Sequence, residues 1–357
     1  MIDYSDLYSP YKIVHHPDRI QQLRDGVQTV PLHVQFVPSN VCNNGCVFCP
    51  YRMTDYPSNQ MFDPRVIMPR EKVLECLNDF EDMGVKSVLY SGGGEPTCHP
   101  NFSEILYTTV THSLDLGLIT NGLALTEEMC TYLGRHANWV RVSLNAGTPS
   151  TYELVHQRPE TCYYRVIDHI QELVKYRQKA VIGVGFMVSK ESWQDIPIFV
   201  ERMRDLGVNN VRLSAVSTAE GSKYFDGWKD EAINLARKVR EMSTDQFRVF
   251  DLFSDRLYDM DKAREPYPLC PCKDLITYVG ADCNVYTCCI LAYNKAGLIG
   301  SIKDQTFKQL WEGRAKRDMF KTFDPLRRCR DRICTYRQKN EFISYCVKAD
   351  PLDANFI

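Results

Sequence analysis

The chain has 357 residues, 44% hydrophobic and 25% charged, with 43 Lys and Arg against 45 Asp and Glu and a net charge of −2. This composition is that of a globular chain. It excludes collagen-like, coiled-coil and disordered classes and allows roughly two domains at about 150 residues each. The charge balance argues against a protein whose main task is gripping nucleic-acid phosphates.

The N-terminus, MIDYSDLYSPYK, is acidic and polar where a signal peptide would be basic and then apolar. No apolar run approaches the ~18 residues that cross a membrane. The cytoplasm is the expected compartment, with no membrane partner. Residues 1–31 read as a lead-in. Six short apolar segments follow: LHVQFVPSN from Leu32, KSVLYSGGG from Lys86, LDLGLITNG from Leu114, WVRVSLNAG from Trp139, AVIGVGFMVS from Ala180 and NNVRLSAVS from Asn209. They read as buried parallel strands running into loops. Helical patterns alternate with them. Val73, Leu77, Phe80 and Met83 share a helix face stopped by Gly84, and Thr126 is an N-cap with Glu128 in the first turn. Alternating strands and helices make an α/β protein with a parallel sheet. The expected architecture is a partial (β/α)6 TIM-like barrel over residues 32–217. A helical linker over 218–265, a small cysteine-rich domain over 266–348 and a tail over 349–357 follow.

The 15 cysteines are the anomaly of the composition. Without an export signal they point to metal or redox chemistry rather than disulfides. Cys42, Cys46 and Cys49 lie in CNNGCVFC, just after the first strand. Three thiolates on one tight loop can hold three irons of a [4Fe–4S] cube and leave the fourth iron open to a substrate. A zinc site or a ferredoxin run would supply a fourth ligand.

This loop resembles the signature of the radical S-adenosylmethionine (radical SAM) superfamily. Gly93-Gly94-Glu95-Pro96, ending the second strand, resembles the family motif that meets the methionyl amino group. Small residues there let backbone approach the ligand, and a carboxylate suits an ammonium. Thr120-Asn121-Gly122 resembles the loop after the third strand. By the same resemblance Ser143 and Asn145 would meet the ribose or carboxylate of SAM, and Arg158 would pair with its carboxylate. Phe48 would lie near the adenine, and Val184 to Val188 would line its pocket. The resemblance implies that SAM chelates the open iron through its amino and carboxylate groups. One electron, from a donor such as flavodoxin or ferredoxin, then cleaves SAM to methionine and a 5′-deoxyadenosyl radical, which abstracts a hydrogen atom from the substrate.

Eight further cysteines fall between Cys270 and Cys346. YVGADCNVYTCC, GLIGSIKDQTFKQLWEG and RRCRDRIC resemble the SPASM and twitch modules of radical SAM enzymes, with Trp311 on the module's helix. Cys272, Cys288, Cys329 and Cys334 are the best four ligands for one auxiliary [4Fe–4S] cluster. Cys270 could replace Cys272, Cys289 could replace Cys288, and zinc would be satisfied equally well. Cys283 stands where the module usually has a turn glycine. The basic stretch Arg327–Arg332 reads as charge compensation beside thiolates or as a binding patch for a phosphate or carboxylate. Cys76 and Cys130 read as packing residues. Cys98, following GGEPT, could return a hydrogen atom to a substrate radical.

The leading functional expectation is a small-molecule enzyme that dehydrogenates, epimerises or decarboxylates a sugar-like or natural-product substrate. An auxiliary cluster can take the electron left on a substrate radical. The short lead-in argues against a leader-binding domain. Peptide or protein modification is the second reading, RNA modification a third, and a non-catalytic iron–sulfur or zinc protein a fourth.

Overall fold

The computed structural model describes residues 7–53, 60–261, 269–329 and 334–348. All six apolar segments are strands: β1 His33–Phe36, β2 Ser87–Tyr90, β3 Asp115–Thr120, β4 Trp139–Ser143, β5 Val181–Val188 and β6 Asn210–Ala215. Each pairs in parallel with the next. Alternation decides which face is buried against the helices. In β4, Val140 and Val142 join the main core, while Trp139, Arg141 and Ser143 point to the opposite, concave face.

The helices between strands follow the sequence pattern. Arg70–Met83 buries Val73, Cys76, Leu77 and Phe80 and ends at Gly84, whose φ of 80° is left-handed. Glu127–His136 starts at Thr126, whose side chain accepts from the Met129 amide. No described helix is long and apolar enough to cross a membrane.

Two features extend the six-stranded expectation. The segment read as helix and linker carries a seventh parallel strand, β7 Arg248–Asp251, on the free edge of β6. Only four residues long, with charges at both ends, it has little apolar signal of its own. On the other side, β8 Ile276–Val279 of the cysteine-rich segment pairs in parallel with β1, then runs antiparallel into β9 Asn284–Tyr286 and β10 Leu298–Ser301. One ten-stranded sheet results, in the order β10-β9-β8-β1-β2-β3-β4-β5-β6-β7. The cysteine-rich segment is thus stitched directly to the first barrel strand.

Trp311 lies on the helix Phe307–Glu312, which opens with a Thr306–Gln309 capping box. Its indole N–H donates to the Thr29 carbonyl at 2.9 Å, and Phe307 packs edge-on against Phe80 at 4.9 Å. These contacts tie the C-terminal region to the lead-in and to the first barrel helix.

Candidate active site

The loop carrying Cys42, Cys46 and Cys49 follows β1 at the C-terminal end of the strands. Two backbone bonds hold it against the end of the helix Pro149–His156: Gly45 N–H to the His156 carbonyl and Val47 N–H to the Val155 carbonyl, both 3.0 Å. Burial raises the pKa of all three thiols. Cys46 is pushed up to about 12, with Cys49 and Cys42 adding to the effect. Thiols that oppose one another's ionisation form a donor set suited to a cationic iron cluster, which takes thiolates.

Sequence reasoning passed over His156. Its Nδ1 lies 3.1 Å from Cys46 Sγ and 3.2 Å from Asn44 Nδ2, and its Nε2 lies 2.8 Å from the Leu144 carbonyl. A carbonyl only accepts, so Nε2 carries the hydrogen and Nδ1 is the bare nitrogen. Burial lowers this imidazole to about 4, against the bond to Leu144. Neutral His156 therefore accepts from the Asn44 amide and braces the cysteine loop from beneath.

Glu95 is buried, and its carboxylate is engaged by the protein itself. Oε1 accepts from the Thr120 hydroxyl (2.6 Å), the Thr97 hydroxyl (2.7 Å) and the Thr97 amide (3.2 Å); Oε2 accepts from the Asn121 amide (2.7 Å). Burial raises its pKa and these bonds oppose the rise. Asn121 in turn donates to Asn43 Oδ1 at 2.6 Å and reaches Cys42 Sγ at 3.9 Å. The GGEP motif, the Thr120–Gly122 loop and the cysteine loop thus form one hydrogen-bonded unit. The glycines are steric necessities. A Cβ on Gly94 would lie 2.3 Å from the Asn40 carbonyl carbon, and one on Gly93 would lie 2.3 Å from the Phe62 ring.

The remaining predicted residues divide. Arg158 is partly buried, and its Nε is buried with no hydrogen-bond partner. Cys98 is half-buried beside the motif. Burial pushes it up to about 11, Glu95 and Cys42 add to the rise, and the Asn43 amide and Arg158 oppose it. Phe48 packs edge-on to His156, with ring centroids 6.2 Å apart. Ser143 ends β4, in register with Gly185. Asn145 is committed within the protein: it has a φ of 54°, and its Oδ1 accepts from the Met187 amide at 2.9 Å. It clips β4 to β5. Val184 and Val188 are buried in the main core. By strand alternation it is Gly183, Gly185 and Met187 that share the concave face with Ser143.

In the C-terminal region one cavity is lined by five thiols, Cys270, Cys272, Cys288, Cys329 and Cys334. Burial raises Cys288, with Cys289, Cys270, Cys334 and Cys329 adding to the rise, and burial raises Cys270, with Cys334 and Cys329 adding. Burial raises Cys272, with Cys270 and Cys334 adding to the rise, and its amide donates to Asn340 Oδ1. Cys289 Sγ instead meets the Tyr336 hydroxyl at 3.5 Å. Cys283 adopts a φ of 58°, the left-handed turn where a glycine was expected. Of the basic stretch, Arg328 donates to the Ala296 carbonyl at 2.6 Å, while residues 330–332 lie outside the described residues.

A model of the radical SAM superfamily matches residues 36–203, and a SPASM model, an iron–sulfur cluster-binding domain, matches residues 270–335. The chain carries a radical SAM domain followed by a SPASM-type iron–sulfur domain. These two domains imply [4Fe–4S] clusters and S-adenosylmethionine as cofactors. The chain is similar to the tungsten-containing aldehyde ferredoxin oxidoreductase cofactor-modifying protein of Pyrococcus furiosus, at 27% identity over 55% of this chain and 58% of that one. It is also similar to the S-adenosylmethionine-dependent nucleotide dehydratase of Flammeovirga pacifica, at 25% identity over 46% of this chain and 56% of that one. The matches thus span little more than half the length of these relatives. Among solved structures, Streptococcus suis SuiB bound to its precursor peptide SuiA superposes with a TM-score of 0.62 at 16% identity, covering 89% of this chain and 73% of that one. The anSMEcpe protein with bound AdoMet gives 0.58 at 17%, covering 88% and 96%. These likenesses concern the fold.

Proposed function

We propose that Cys42, Cys46 and Cys49 hold the SAM-binding cluster and that this radical SAM enzyme oxidises, epimerises or decarboxylates a small organic molecule. The observation that carries the reading is the strand-end unit. Three partly buried thiols on one loop suit three irons, and the orphaned Arg158 Nε suits a carboxylate. The Gly93–Gly94 backbone lies where no side chain fits. Bound there, the cluster and SAM supply abstraction of a hydrogen atom from an unactivated C–H bond.

The protein's own residues bind and orient. Arg158 takes the SAM carboxylate, and Ser143 and Phe48 border the nucleoside. Backbone carbonyls of the Gly93–Glu95 turn take the ammonium, because the Glu95 carboxylate is spent holding Thr97, Thr120 and Asn121 in place. Asn145 shapes the wall by joining β4 to β5. Cys98, protonated at neutral pH, is positioned to return a hydrogen atom if the reaction inverts a centre. For the auxiliary cluster we assign Cys270, Cys288, Cys329 and Cys334. Cys270 stands in place of Cys272, because its charge interacts with those of Cys334, Cys329 and Cys288, whereas that of Cys272 interacts chiefly with those of Cys270 and Cys334.

The names of the Pyrococcus and Flammeovirga relatives support a small-molecule substrate. A peptide substrate is the second reading, favoured by the fold shared with peptide-bound SuiB. Reductant-dependent formation of 5′-deoxyadenosine, with deuterium transferred from a labelled candidate substrate, tests the proposal. Label arriving only from a co-purifying peptide would favour the second reading.

A further inference from the structure

The concave face of the sheet carries arginines that the SAM chemistry does not use. Arg141 on β4 and Arg212 on β6 alternate with core residues Val140, Val142, Val211 and Leu213, so both point into the barrel. The strand between them makes room. Opposite these side chains β5 presents Gly183 and Gly185, and Arg141 Cδ passes 3.6 Å from where a Gly185 Cβ would stand.

Tyr8 of the lead-in enters the same space. Arg141 donates to its hydroxyl at 3.5 Å, and the Arg212 guanidinium lies 5.2 Å from its ring centroid. Among the described residues neither arginine forms an ion pair with a carboxylate, and Arg212 Nε is buried without a hydrogen-bond partner. Burial, then repulsion from Arg141, lowers Arg212 to about 10, and Arg256 adds to the effect. Two neighbouring guanidiniums that share one space with no carboxylate paired to them among the described residues are costly unless something anionic completes them.

The location ties them to the reaction. Ser143, Gly185 and Arg212 are consecutive in register across β4, β5 and β6. Two strand spacings put Arg212 roughly 10 Å from Ser143, so a small molecule held by Arg212 can reach the SAM end of the barrel.

We propose that Arg141 and Arg212 form the substrate's recognition site and that the substrate is anionic, carrying a phosphate or carboxylate group that the two guanidiniums bind. This inference rests on the reading of the strand end as the radical SAM active site.

The test uses the cluster-reconstituted full chain. Its melting temperature is measured with inorganic pyrophosphate and with citrate, against sodium chloride at matched ionic strength. Either anion should raise the melting temperature by about 2 °C or more as it binds the folded state. Arg141→Gln and Arg212→Gln should each abolish the shift, and Arg212→Lys should keep part of it. A shift with pyrophosphate alone identifies a phosphorylated substrate, and a shift with citrate alone a carboxylated one. No shift with either anion, or the same shift in every variant, would overturn the proposal. SAM cleavage by the unmutated preparation separates the two ideas. Cleavage without an arginine-dependent shift overturns the anion site alone, and no cleavage overturns the active-site reading beneath it.

Discussion

Gly94→Ala is the sharpest steric test of the SAM site. The new Cβ would stand 2.3 Å from the Asn40 carbonyl carbon and 2.5 Å from the Ser39 and Asn40 oxygens, all backbone atoms. The two loops must therefore part by about 1 Å to reach ordinary van der Waals separation. The adjacent bond from the Glu95 amide to the Val41 carbonyl, 2.9 Å long, would stretch beyond hydrogen-bond reach. Overpacking costs about 1–3 kcal/mol and the lost bond about 1 kcal/mol. A chain of this size survives that, but the reacting groups are displaced by about 1 Å, worth roughly 100-fold in rate. The assay is reductant-dependent 5′-deoxyadenosine formation beside an iron count. Gly94→Ala should keep its iron and lose about 100-fold in cleavage. Cleavage within about threefold of the parent, under 1 kcal/mol of barrier, would refute the reasoning.

Other expectations follow from the same geometry. His156→Phe removes the acceptor for Asn44 and the donor to Leu144. It should lower iron retained by the Cys42–Cys49 loop and speed its loss to a chelator, followed by visible absorption, with His156→Gln restoring part of it. Cys270→Ala should lose about four irons per chain while Cys272→Ala keeps them; the reverse result would return the fourth ligand to Cys272. Lys316 is 2% exposed, with its ammonium 4.6 and 4.4 Å from the Trp311 and Phe320 ring centroids. Burial lowers its pKa to about 8 from 10.5, against Asp274. The folded state thus releases this proton before the unfolded state does. Stability should therefore rise with pH between about 8 and 10.5, and Lys316→Met should remove that component from denaturant melts.

How much was legible depended on how local each signal is. CNNGCVFC and GGEP are contiguous, and their chemistry could be read residue by residue. The six apolar segments showed the sheet because buried parallel strands need continuous Val, Ile and Leu. Strand β7 was missed because RVFD draws its pairing from the β6 edge. His156 was illegible because its meaning is tertiary: only the fold of the helix Pro149–His156 beneath the loop brings Nδ1 to Cys46. Spacing could not show that the Glu95 carboxylate turns inward, or that Asn145 serves a strand junction. Arg141 and Arg212 did leave a trace. A charged residue at an alternate position of WVRVS and NNVRLS, amid core residues, is unusual for a strand buried on both faces, and only the register revealed that the two share one space.

The central claim is that the Cys42, Cys46 and Cys49 loop holds a SAM-cleaving cluster separate from the one near Cys288. Anaerobic reconstitution, an iron count and a SAM-cleavage assay on the parent and the Cys42→Ala/Cys46→Ala/Cys49→Ala variant test it directly. The account predicts about eight irons and cleavage in the parent, and about four irons with no cleavage in the variant. Cleavage that survives loss of all three cysteines, or a reconstituted parent that never cleaves SAM, would contradict it.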